Sequence, residues 1–190
     1  MISNLVGLLA CREARKSAMI FAMKQLLILL LFSILPPFVV AEPRAAQLTG
    51  VVDNGTLMMD MGRSVYVCSP YGVRTLEALR EETMLAGECR QQIARFYARQ
   101  PLQAQFAHRE LKRFQFYRIE QKEAGCVLYA RGRLSYAERL LQEGLAIVAP
   151  GFDDREWGFR FEQAEQGAKE LKRGIWGDPL WAKCAAALVK

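Results

Sequence analysis

Asp53 heads the residues whose type and spacing could do chemistry. It opens Asp53-Asn54-Gly55-Thr56, the Asn-Gly of a tight hairpin turn between two apolar stretches. A carboxylate there offers oxygen to a hard cation, but calcium takes about 6–8 oxygen ligands. One aspartate therefore needs partners, and Asp60 is the next carboxylate along. Four cysteines, Cys68, Cys89, Cys126 and Cys184, follow residue 41. An even number suits disulfides in an exported chain, and the sequence leaves all three pairings open. The lack of any Cys-x-x-Cys argues against a redox motif or a zinc ribbon. His108 is the only histidine and builds no metal site alone; beside Arg109 it reads as an exposed loop residue.

The elements that must position these residues can be read from periodicity. Strands are predicted over 47–52, 56–60 and 64–69, a three-stranded meander. Val65 and Val67 take one face of the last strand, Tyr66 and Cys68 the other. From 74 to 99 the pattern is helical, with Cys89, Ile93, Phe96 and Tyr97 on one stripe, a break offered at Gly87 and a stop at Pro101. Leu102, Ala104 and Phe106 alternate with Gln103 and Gln105, which predicts a half-buried strand. Phe114-Gln115-Phe116 continues that alternation after a basic stretch at 109–113. Residues 125–131 are apolar on both faces, as in a central strand.

Two capped helices follow. Ser135 with Glu138 forms a capping box, Leu140, Leu141 and Leu145 share a face, and Gly144 ends the helix. Asp153 with Glu156 reads as a second capping box. Behind it Trp157, Phe161, Ala164, Ala168 and Leu171 form an apolar stripe, Glu165 and Lys169 an i,i+4 pair, and Gly174 a stop. The tail, 179–190, is a turn and a short apolar run.

At 190 residues the chain suits one domain with tails. Residues 23–41 read as a signal peptide. Lys24 supplies the charge, 26–35 the apolar run and Val39-Val40-Ala41 the cleavage site. The run is too short, and too broken by Pro36-Pro37, to span a bilayer comfortably. Residues 1–22 read as an upstream extension. Cleavage would leave Glu42 as the N-terminus of a periplasmic or secreted protein with no stable membrane span. Residues 1–41 hold Arg12, Glu13, Arg15, Lys16 and Lys24, so the remainder carries 22 basic and 19 acidic residues, a net of +3. That balance admits nucleic acid as a weak partner without arguing for it strongly.

Three phrases recur in order near the C-terminus: Gly144-Leu145-Ala146-Ile147-Val148, Ala164-Glu165-Gln166-Gly167-Ala168-Lys169 and Gly174-Ile175-Trp176. In them the chain resembles the staphylococcal nuclease-like (thermonuclease) family. By element order the resemblance covers residues 48–176, and at motif level it is specific after Ser135. It implies an α+β fold: a five-stranded OB-type Greek-key β-barrel with three α-helices, here over residues 42–178.

The family is known for calcium-dependent phosphodiester cleavage, using oxygen ligands, a glutamate base and two arginines. The resemblance lays the family's Asp-Gly-Asp-Thr on Asp53-Asn54-Gly55-Thr56, with glycine at the metal ligand. The family's third-strand arginine falls on Tyr66. Its Asp-x-Pro-Glu puts Tyr71 at the aspartate and Arg74 at the glutamate, or, aligned on Pro70, Cys68 and Tyr71 at the two carboxylates. Its Tyr-Gly-Arg falls on 122–125, which has no arginine. Of the implied catalytic set only Asp53 is retained, and no metal or cofactor is expected. The expectation is a binding or structural module for nucleic acid or an envelope protein, with Tyr66, Tyr71 and Arg74 as candidate ligand-binding residues. The alternative is a calcium-dependent nuclease with a rearranged site that brings Asp53 and Asp60 together. In the family fold the third and central strands are neighbours, so the resemblance implies a Cys68–Cys126 disulfide. It leaves Cys89 with Cys184, tying the tail to the first helix.

Overall fold

Asn54 and Gly55 turn the chain between β1 (Arg44–Asp53) and β2 (Thr56–Asp60), the hairpin from which the sheet grows. The computed structural model describes residues 44–83 and 85–188. The segments read as extension and signal peptide, 1–22 and 23–41, lie outside the described residues. The compact unit spans Ala41–Lys190 and has one core.

β3 (Val65–Cys68) pairs with β2, while β5 (Phe116–Lys122) pairs with the other side of β1. β6 (Gly125–Arg131) and the short β7 (Leu134–Ser135) complete an antiparallel sheet in the order β3-β2-β1-β5-β6-β7. β4 (Val73–Thr75) and β8 (Ala146–Val148) form a separate two-stranded ladder. Around these stand seven helices. They are α1 (Leu76–Glu81), α2 (Gly87–Arg99), α3 (Pro101–Ala104), α4 (Phe106–Glu110), α5 (Tyr136–Gln142), α6 (Arg155–Glu170) and α7 (Trp181–Leu188). The architecture is mixed α+β on an antiparallel sheet. Among the described residues the main sheet has six strands rather than the expected five, and there are seven α-helices rather than three. No continuous ladder closes the sheet; a single parallel bridge from Pro70 to Cys126 links the chain after β3 to β6.

Alternation sets which face of the sheet is buried. Leu48, Leu57, Met59, Tyr117 and Ile119 point inward and are buried. β6 is buried on both faces, Cys126, Val127 and Leu128 alike, as its sequence predicts. α6 covers its outer side, where Tyr129 meets Trp157 at 6.2 Å between ring centroids.

The predicted strand at 102–106 is a correction: those residues lie in α3 and α4. Pro101 occupies the first turn of α3, where its missing N–H costs nothing. Phe106 and Ala107, adjacent in sequence, are both buried, which the predicted half-buried strand could not arrange. His108 is exposed on α4 rather than in a loop. The second capping box is also corrected. Asp154, not Asp153, caps α6, its carboxylate accepting from the N–H groups of Glu156 and Trp157. The first capping box is present in full. Gly144 (φ 65°) follows the end of α5 as expected. α6, however, stops at Glu170, with Lys172 taking the positive φ (51°). Gly174 (φ 54°) instead opens a 3-10 turn, Gly174–Gly177, whose Ile175 N–H donates to the Gly144 carbonyl at 3.1 Å.

Disulfides join Cys68 to Cys126 and Cys89 to Cys184, with Cα–Cα distances of 5.5 and 5.6 Å. The first ties the end of β3 to the start of β6. The second anchors α7 to α2 and brings the tail into the core with buried Trp181. Each contributes about 2–4 kcal/mol by restricting the unfolded chain. Among the described residues no helix is long and apolar enough to cross a membrane. Disulfides of this kind persist in oxidising compartments.

Candidate functional site

The hairpin turn faces α1 across a cleft of about 610 Å³. Its floor comes from Asp53, Gly55 and Thr56, one wall from the chain at Ser69–Thr75 and the first turns of α1, and the opposite rim from 149–153. Thr75 starts α1 as its N-cap, accepting from the Ala78 N–H. Gly55 lies so close to that cap that a Cβ on it would sit 2.5 Å from the Thr75 hydroxyl. The position implied as a metal-ligand site thus has no room for a carboxylate side chain.

Asn54 is wholly buried and joins the hairpin to four helices. Its amide donates to Glu77 Oε1 (2.8 Å) and to the Gln103 carbonyl (2.9 Å), and its Oδ1 accepts from the Ala107 N–H (2.9 Å). Its own carbonyl accepts from the Tyr136 hydroxyl. Glu77 Oε1 accepts a second hydrogen bond, from the Tyr97 hydroxyl at 2.8 Å. Glu77 Oε2 is buried with no partner. Burial, with the nearby charge of Asp53, raises the Glu77 pKa against the opposing effect of these hydrogen bonds. A carboxylate held rigidly with one oxygen unused, at the edge of a cleft, is a functional-site candidate on physical grounds.

Asp53, Tyr71 and Arg74 line the cleft; Tyr66 does not. Tyr66 points from β3 toward the core, where its hydroxyl is buried without a partner and burial raises its pKa. Tyr71 stands edge-on to Phe152 and donates to Asp154 at 3.0 Å. Burial first, then Asp154, raises its pKa. Arg74 is the single cationic residue among the lining, and Glu82 neutralises it at 2.7 Å. Against it stand four carboxylates, Asp53, Glu77, Glu81 and Asp153. The cleft is therefore acidic, whereas a phosphate-binding site requires a surplus of cations.

Asp53 and Asp60 do not come together. They occupy opposite ends of the hairpin ladder, with Asp53 opposite Thr56 and Asp60 opposite Gln47. Each caps its own turn, Asp53 accepting from the Gly55 N–H and Asp60 from the Gly62 N–H. Among the described residues no three acidic, histidine or cysteine side chains converge as metal ligands would.

The residue that sequence reasoning missed is Glu77. Thr75 followed by an acid in the first turn marks a helix start, but nothing local says that this glutamate turns inward. Its inward turn depends on Asn54 and Tyr97, which lie 23 and 20 residues away. No family model matches the chain, and no curated protein does.

Proposed function

We propose that the unit from Glu42 onward is an exported, non-catalytic binding module of the staphylococcal nuclease-like kind. Its cleft takes a protein segment bearing a cationic side chain, lysine or arginine, rather than a nucleic-acid phosphate. The observation that carries this is the charge of the cleft: four carboxylates, one of them with an unpartnered oxygen, against a single arginine already paired. An ammonium or guanidinium group brings donors and positive charge to these carboxylates, while a phosphate brings more acceptors and more negative charge.

Strand pairing supports the OB-type reading of the fold. β1 pairs with both β2 and β5, β5 pairs with β6, and the bridge at Pro70 leads from β3 back to β6. On this reading that bridge, just past β3, stands where a five-stranded barrel would close, with β7 an appendage of β6. On this reading Arg74-Thr75-Leu76-Glu77 supplies the glutamate of the family's Asp-x-Pro-Glu, which a register three residues earlier does not. Glu77 then stands at the family's glutamate, Arg74 at one metal aspartate and Gly55 at the other. Both metal positions lack a carboxylate, which argues against calcium-dependent hydrolysis even with the glutamate kept.

The test is a pair of assays on the purified unit. DNA and RNA remain intact in calcium, and a labelled lysine-rich peptide binds with an affinity that falls as salt rises. Calcium-dependent cleavage abolished by Asp53→Ala or Glu77→Gln would establish the nuclease alternative instead.

A further inference from the structure

The outer face of the sheet carries a second feature, remote in sequence from the cleft. Phe114 and Phe116 are 64% and 65% exposed where the chain enters β5. Phe114 holds φ at 63°, a conformation a bulky side chain rarely adopts. It is fixed there by hydrogen bonds from its N–H to the Leu48 carbonyl (2.7 Å) and from the Gln47 amide to its carbonyl (3.0 Å). Structure that holds a strained aromatic out toward water is a reason to look for a partner.

The strands place further residues beside it. Phe114 and Phe116 form a short row at the start of β5, with exposed Lys112 and Arg113 before them and exposed Arg118, on the same face as Phe116, after them. The neighbouring end of the sheet, past an irregularity in the β6–β7 ladder, adds exposed Arg131, Arg133 and Leu134. Of the carboxylates nearby, Glu110 is paired with Arg131 and Arg139 and Glu120 with Lys122, while Asp60 lies two strands from Phe116 across Gln47.

We infer that this row of exposed apolar side chains ringed by lysine and arginine is a docking surface for an anionic lipid bilayer. The rings and Leu134 would sit at the boundary of headgroups and acyl chains, and the cations against lipid phosphates. Charge complementarity selects an anionic partner. The apolar side chains favour lipid over single-stranded nucleic acid: leucine offers no stacking plane, and the Arg113 guanidinium lies over the Phe114 ring at 5.0 Å. That guanidinium occupies a face on which a base would stack.

Co-sedimentation of the Glu42-onward unit, which contains the whole core and both disulfides, tests this. The probes are vesicles of phosphatidylcholine alone and of phosphatidylcholine mixed with phosphatidylglycerol. The unit is expected to pellet with the mixed vesicles, not with phosphatidylcholine, and to be released by salt. Phe114→Asn combined with Phe116→Ser should lower partitioning about tenfold or more; asparagine tolerates the positive φ, so the fold is kept. Lys112→Glu, at an exposed site, should weaken binding by about fivefold or more, while Glu77→Gln in the cleft should leave it unchanged. Partitioning equal on both vesicle types, or none on either, would overturn the inference. So would displacement from the vesicles by a single-stranded oligonucleotide that binds Lys112→Glu less well than wild type.

Discussion

Glu77 illustrates how one side chain can cost stability at a candidate site. Its carboxyl binds a proton more readily in the folded state than in the unfolded chain, because burial disfavours the charge. The folded state therefore loses stability as pH rises from the ordinary carboxylate range through the raised folded value, and the loss persists at neutral pH. Glutamine cannot ionise, and its Oε1 still accepts from Asn54 and Tyr97. Glu77→Gln is thus expected to unfold at higher urea concentration than wild type at pH 7, with the advantage closing as pH falls below the ordinary carboxylate range. Urea titrations across that pH range check both parts. A gain in stability together with a loss of peptide binding marks a residue kept for its site rather than for its packing.

At the scale of elements, the hairpin and the helices are joined by Asn54. Replacing it with alanine leaves the Ala107 N–H without a partner inside the protein and takes one of two donors each from the Gln103 carbonyl and Glu77 Oε1. A buried unsatisfied group costs about 1–3 kcal/mol, so Asn54→Ala is expected to lose at least that much in equilibrium denaturation. Asn54→Asp should lose as much, since it replaces a donor to Glu77 with a second carboxylate. How much of this was legible follows from the range of the interactions. The Ser135 capping box closes within four residues and can be read directly from the sequence. The Leu102–Phe106 alternation could not be read correctly, because five residues with apolar side chains at the first, third and fifth positions fit a strand and part of a helix equally. Tertiary contacts to Asn54 and burial of Ala107 decide for the helix. β4 and β8, three residues each, have no period to read. Asp53 is legible from its hairpin turn, whereas Tyr66, Tyr71 and Arg74 are candidates only through the family resemblance. Tyr66 lies away from the cleft, since period 2 says which residues share a face and not which face meets the core.

For the whole molecule, charge sorts the surfaces. The unit is mildly basic, yet its cleft is lined by four carboxylates and one arginine, while Lys112, Arg113 and Arg133 are exposed elsewhere. Charge so sorted would draw a lysine-rich ligand to the cleft and an anionic one to Lys112, Arg113 and Arg133. The most direct measurement is a titration of the isotope-labelled unit with a lysine-rich peptide, followed by amide chemical shifts. The account predicts shifts confined to the neighbourhood of Asp53, Gly55, Tyr71, Arg74 and Glu77, weakened by Glu77→Gln and suppressed by salt. Shifts scattered over the surface would contradict it, as would a single-stranded oligonucleotide that perturbs those same cleft amides.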